Sequence, residues 1–118
     1  QNKRVFFSGD SGYFDEFKEV GEKLGPFDLA FVENGQYNED WAAIHMMPEQ
    51  SALVASELKA MAVVPIHWGK FSLSIHAWDE PVIRFMKASA AYDYKSLTPR
   101  PGEVLTQPFP TTAKWWEE

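Results

Sequence analysis

An α/β fold with a parallel or mixed sheet follows from three features of the sequence. Short runs rich in β-branched and aromatic residues begin near Val5, Phe27 and Val63. A stretch with helical spacing follows each of them, and glycine or proline marks most of the junctions. Strands that alternate with amphipathic helices need crossover connections, and these favour parallel pairing.

With 118 residues the chain is expected to form one domain, 1–118, large enough for a core of its own. Its 45% apolar and 15% aromatic content is that of a folded chain. A net charge of −6, with no basic cluster to offset it, argues against a nucleic-acid-binding surface. The absence of cysteine excludes disulfides and thiolate metal sites, so any metal must be held by His, Asp or Glu. No signal peptide or membrane-spanning run is legible. The compartment is left open, cytoplasmic and membrane-peripheral placement being equally compatible. The chain lacks an initiator Met and enters a strand almost at once, as a segment of a longer protein would.

Val5–Ser8 reads as a buried strand that ends at the turn Gly9-Asp10-Ser11-Gly12. Phe14, Phe17, Val20 and Leu24 then fall at helical spacing, with acids and lysines between them. Gly25-Pro26 stops that helix, the glycine as a left-handed C-terminal residue and the proline as a breaker. A second strand, Phe27–Val32, ends at Glu33-Asn34-Gly35, and a loop follows through Tyr37, Trp41 and His45. The second helix begins at Met47-Pro48-Glu49-Gln50. The third strand is Val63–Ile66, placed at an edge or bulged because Pro65 lacks a ladder donor, with His67 just past its end. Phe71–Ser74 is expected to pair briefly, a third helix runs from Asp79 to about Tyr92, and Glu103–Leu105 reads as a short strand.

This order places Asp10, Glu33 with Asn34, and His67 beyond the carboxyl ends of strands, where open α/β sheets gather their functional groups. Gly9-Asp10-Ser11-Gly12 admits three readings. Its letters are those of the nucleophile motif of trypsin-like proteases, but Tyr13-Phe14 follow and lead into a helix, which that all-β family does not have. It also reads as a turn in which Asp10 or Ser11 caps the helix, or as a carboxylate ligand flanked by glycines. His45 and His76 each sit among apolar neighbours, where packing alone accounts for a histidine. Trp68, Phe71 and Trp78 read as core or as pocket lining.

Taken together, the motifs Gly9-Asp10-Ser11-Gly12-Tyr13, Gly25-Pro26-Phe27-Asp28-Leu29-Ala30, His45-Met46-Met47-Pro48-Glu49-Gln50, Ile66-His67-Trp68-Gly69-Lys70-Phe71 and Trp78-Asp79-Glu80-Pro81 carry a resemblance. In this order they resemble the C-terminal half of a metallo-β-lactamase-fold hydrolase. The branch is that of N-acyl-phosphatidylethanolamine phospholipase D and the RomA-like proteins. The resemblance spans residues 4–105, with 106–118 as a tail.

The resemblance implies half of an αβ/βα sandwich, a mixed sheet with flanking helices. It implies Asp10 as the carboxylate that bridges two metal ions, His67 as a ligand of one of them, and His45 as a catalytic group that contacts substrate or moves a proton. Ser11 stands where a threonine is usual. The implied cofactor is zinc, as two ions in the intact hydrolase and weakly or not at all in this segment. The family's His-x-His-x-Asp-His signature does not occur here, where the histidines are His45, His67 and His76.

The expected function is therefore the C-terminal part of a metal-dependent hydrolase acting on a phosphodiester, ester or lactone, inactive by itself. Its partners would be the N-terminal half of the same protein and a small-molecule or lipid substrate. Self-association is expected through sheet surface that the missing half leaves uncovered, unless the Trp115-Trp116 tail covers it. A non-catalytic α/β binding or interaction module is the competing expectation.

Overall fold

The computed structural model describes residues 2–118. In chain order the elements are β1 (Val5–Phe7), α1 (Glu16–Leu24), β2 (Leu29–Glu33), a 3-10 turn (Glu39–Trp41), α2 (Pro48–Glu57), β3 (Ala62–Ile66), α3 (Glu80–Ser89), β4 (Lys95–Ser96) and a second 3-10 turn (Trp115–Glu117). The strands lie side by side in the order β1-β2-β3-β4, and every neighbouring pair is parallel. Where the sequence left a mixed sheet open, the sheet is parallel throughout the described residues. Each connection passes through a helix that returns the chain to the same end of the sheet.

One face of the sheet meets the helices. Phe6, Ala30, Val32 and Val63 pack there with Phe17 of α1, Ala52 and Ala55 of α2 and Phe85 of α3. The opposite face carries Leu29, Phe31, Ala62, Val64 and Ile66, and among the described residues Leu97, Leu105 and Phe109 from the C-terminal region pack on it. That cover does not reach β1, whose Val5 and Phe7 are 57% and 67% exposed. Parallel sheets are ordinarily buried on both faces, so the β1 side is unfinished.

Several local expectations are corrected. Phe27 lies outside β2 and makes a single bridge to Ala60. Neither Phe71–Ser74 nor Glu103–Leu105 forms a strand; Leu105 serves as cover for the sheet instead. Trp115 and Trp116 pack against Trp68 rather than on the open sheet face, which Leu105 and Phe109 partly cover. Gly25 is extended (φ −75°, ψ 178°), not left-handed. Its lack of a side chain matters because a Cβ there would stand 2.4 Å from the Gly21 carbonyl oxygen. The edge position read for Pro65 holds in part. β3 has neighbours on both sides, but Leu97 N donates to Val63 O and the pairing with β4 stops there. Proline has no N–H with which to continue it.

Helices α2 and α3 are tied at their exposed side by Arg84. Its guanidinium donates to both oxygens of Glu49 (2.9 and 2.7 Å) and to Glu80 at 3.3 Å, and it lies 4.8 Å from the centre of the Tyr37 ring. The Arg84 hydrogen bonds hold the Glu49 carboxyl below its ordinary pKa, and a hydrogen bond from Tyr37 does most of this for Glu80. Both acids are depressed in the folded state, so their contribution is present above the usual carboxylate pKa and is lost as pH falls through the depressed values. All three groups are partly solvated, which keeps the total small. Arg84→Ala is expected to cost about 0.5–1 kcal/mol at neutral pH. The deficit should shrink below about pH 4, where the carboxylates protonate. Urea unfolding of both proteins at pH 7 and pH 3 measures it, and an equal deficit at the two pH values would contradict this account.

Candidate functional site

The site is assembled around a carboxylate. β2 is an apolar strand that ends on an acid, and its last residue, Glu33, has no exposed surface. Its Oε2 accepts the Met46 backbone N–H at 2.9 Å, and its Oε1 accepts the Gly35 N–H at 3.2 Å. The same Oε1 lies 3.2 Å from His45 Nδ1 and 3.1 Å from His67 Nδ1. Burial pushes the Glu33 carboxyl pKa up, opposed by the hydrogen bonds from His67, Met46 N–H and His45. A buried acceptor with this many donors favours the ionised form more than burial alone would allow.

Each histidine reaches Glu33 from a different loop. His67 follows β3 directly, and the chain turns there through left-handed backbone at φ 69°. His is among the few residue types enriched in that region, and the turn brings its ring over the end of β2. Gly35 makes the approach possible, because a Cβ at that position would lie 1.6 Å from the His67 carbonyl oxygen. His45 ends the loop before α2, where the Met46 N–H bond to Glu33 fixes the neighbouring backbone. The two imidazoles stack with centroids 5.4 Å apart and planes at 25°.

Both rings line one cavity of about 440 Å³ with Asp10, Gln36, Trp41, Ile44 and Leu73. Asp10 and His67 also share a second cavity of about 350 Å³, with Phe7, Gly9 and Ile66. The structure thus brings Asp10, His45 and His67 to one rim. His76 stands apart, stacked on Tyr37 with centroids 4.1 Å apart, its Nδ1 at 2.9 Å from the Ala77 carbonyl. Neither Asp10 nor Ser11 caps α1, which begins at Glu16 with no side-chain cap. The Ser11 hydroxyl is buried and finds no hydrogen-bond partner among the described residues. Of the aromatics, Trp68 and Phe71 line a cavity of about 370 Å³ with His67, whereas Trp78 packs on Trp115.

Glu33, His45 and His67 offer ligand atoms within 4.8 Å of one another, a set able to hold a metal ion. The complete burial of Glu33 and its two amide hydrogen bonds favour a different use of the same atoms. A carboxylate that accepts Nδ1–H from an imidazole fixes the tautomer and leaves Nε2 with its lone pair free. Among the described residues neither Nε2 has a hydrogen-bond partner. Two imidazoles and an aspartate on one cavity form a donor set that suits zinc, manganese or iron. Sequence reasoning put Glu33 on this rim but gave it no role. The signal available was an acid that closes an otherwise apolar strand.

Comparison with known proteins identifies the family and the fold. Residues 1–68 match the family described as "Beta-lactamase superfamily domain". An uncharacterized protein of Mycobacterium tuberculosis is 37% identical over 119 residues, a match that covers 98% of this chain and 32% of that protein. The outer membrane protein RomA of Klebsiella pneumoniae is 52% identical over 68 residues, 58% of this chain and 52% of its own length. An N-acyl-phosphatidylethanolamine-hydrolyzing phospholipase D of Caenorhabditis elegans is 41% identical over 76 residues, 62% of this chain and 21% of its own. Among solved structures, the metallo hydrolase Igni18 of Ignicoccus hospitalis superposes with a TM-score of 0.63 at 27% identity, over 83% of this chain and 39% of that one. The chain spans about a third of the length of the mycobacterial relatives it matches. On the family match over residues 1–68, the chain belongs to the beta-lactamase superfamily, and it shares the fold of solved metallo-β-lactamase-type proteins.

Proposed function

We propose that this chain is the C-terminal part of a metal-dependent hydrolase of the RomA and phospholipase D branch, acting on a phosphodiester, ester or lactone. The observation that carries the reading is the convergence of His45 and His67 on one buried carboxylate at a cavity that Asp10 also lines. Relatives named as metal-dependent hydrolases support it, including a Listeria monocytogenes protein 38% identical over 73 residues. In this reading Asp10 and His67 hold the metal, as two zinc ions shared with ligands from the rest of the protein. When bound, such ions polarise the attacked group and lower the pKa of water. Glu33 holds the Nδ1 protons of both imidazoles, so that His67 presents Nε2 as a ligand. His45 uses its Nε2 to orient substrate or transfer a proton. The uncovered face beside Val5 and Phe7 is where the remaining half of the protein would pack; without it the same face would drive self-association.

In the intact protein, Asp10→Ala is expected to lose metal and activity together, and His67→Ala to lose part of the metal. His45→Ala should cut turnover by about 100-fold or more while it keeps most of the metal. Elemental analysis beside phosphodiesterase and esterase rates measures all three. Full metal content and full activity in Asp10→Ala would refute the assignment.

Glu33→Gln supplies a separate test. The amide cannot accept at both positions, since its NH₂ would oppose either the Met46 N–H or the imidazole donors. Metal affinity is expected to fall by about 10–100-fold with the secondary structure retained. Competition with a chelator, beside circular dichroism, reads both quantities. Unchanged affinity would place Glu33 outside the site's machinery.

A further inference from the structure

We infer that Trp115, in the C-terminal tail, is a positioning residue for His67, with the tail acting as a clasp on the turn that presents this histidine. The inference rests on the reading of His67 as a functional group. It starts from a gap in the sheet. β4 pairs with β3 only over Ala62 and Val63, and Pro65 has no N–H to extend that ladder. The last residues of β3 and the turn beyond it therefore lack a strand neighbour on this side. The turn itself is conformationally demanding, with left-handed backbone at His67 (φ 69°) and Gly69 (φ 80°). A non-glycine residue in that region persists only where its surroundings hold it.

Tryptophan side chains supply what the ladder does not. Trp68 donates its indole N–H to the Pro65 carbonyl at 2.9 Å, using the free edge of β3. Its ring stacks on Trp115 with centroids 5.1 Å apart at 16°, and meets Trp116 edge-on at 5.8 Å and 86°. Trp115 also stacks on Trp78, at 6.3 Å and 27°, so one ring touches both ends of the loop that joins β3 to α3. A Cβ at Gly69 would lie 3.4 Å from the Trp115 ring, so the turn is in close contact with it.

The clasp is anchored to the end of β4. Trp115 donates its indole N–H to the Thr98 carbonyl at 3.1 Å, and the Thr112 hydroxyl accepts the Thr98 N–H at 2.7 Å. Trp116 is only 7% exposed although its indole N–H has no partner among the described residues, so ring packing outweighs an unmet donor there.

The test compares Trp115→Ala with Phe109→Ala in the intact protein. Phe109 belongs to the same tail but packs on the sheet face, away from His67. If the tail positions His67, Trp115→Ala should speed amide hydrogen exchange across residues 66–70 and weaken zinc binding about tenfold. Phe109→Ala, expected to lower the melting temperature because it removes sheet cover, should change neither. Trp115→Phe keeps a stacked ring but loses the hydrogen bond to Thr98, so it should weaken zinc binding measurably but less than Trp115→Ala, and it is the variant to read if the alanine protein does not fold. Equal effects of Trp115→Ala and Phe109→Ala on affinity and exchange, or none from Trp115→Ala or Trp115→Phe, would overturn the clasp. His67→Ala separates the two levels. If it leaves zinc binding intact, the functional reading of His67 fails and the inference with it; if it weakens zinc binding while Trp115→Ala does not, only the clasp fails.

Discussion

One buried carboxylate organises the rim at the carboxyl ends of the strands. Glu33 is the last residue of β2 and is withdrawn from water, yet it gathers two backbone N–H groups and two imidazoles from three different segments. Transfer of an unpaired carboxylate to such a place would be prohibitive. Its donors make the burial tolerable, and they in turn are held where the acid needs them. The backbone carbonyl of Glu33 takes part as well, since the Ser51 hydroxyl bonds to it and ties α2 to the same point. The loop before α2, the turn after β3 and the helix therefore depend on one side chain and its backbone.

The architecture explains why that point lies where it does. In a parallel sheet all carboxyl ends emerge on one side, so the loops after β1, β2 and β3 are neighbours whatever their sequence. Asp10, Glu33 and His67 owe their proximity to that topology. The finer contact is made by the absence of a side chain at Gly35, which lets the backbone after β2 touch the backbone of His67.

The two faces of the sheet differ in a way that bears on the relatives. Helices cover one face, while among the described residues the other face is covered by Leu97, Leu105 and Phe109 from the C-terminal region, over β2 and β3. The relatives are longer, and this chain covers 32% of the mycobacterial ones and 39% of the solved metallo hydrolase. An unfinished parallel sheet and a longer family fold are consistent with one another. Val5 and Phe7 stay largely exposed on that side of the sheet.

The alternation of strand and helix is legible in the chain, since apolar periodicity and turn residues act within a few positions of one another. The sequence placed β1, β2, β3 and all three helices to within a few residues, and it put Asp10, Glu33 and His67 on one rim. Only the tertiary structure decided what Glu33 does, because its partners His45 and His67 lie 12 and 34 positions away and no local pattern encodes them. β4 was hidden for the same reason: Lys95-Ser96 has no strand signature, and its pairing comes from the edge that β3 offers. The role of Trp115 follows suit, as a tryptophan among prolines shows nothing until Trp68 is brought against it. Local propensity is written in neighbouring residues, whereas a shared proton acceptor or a stacked ring exists only once distant segments meet.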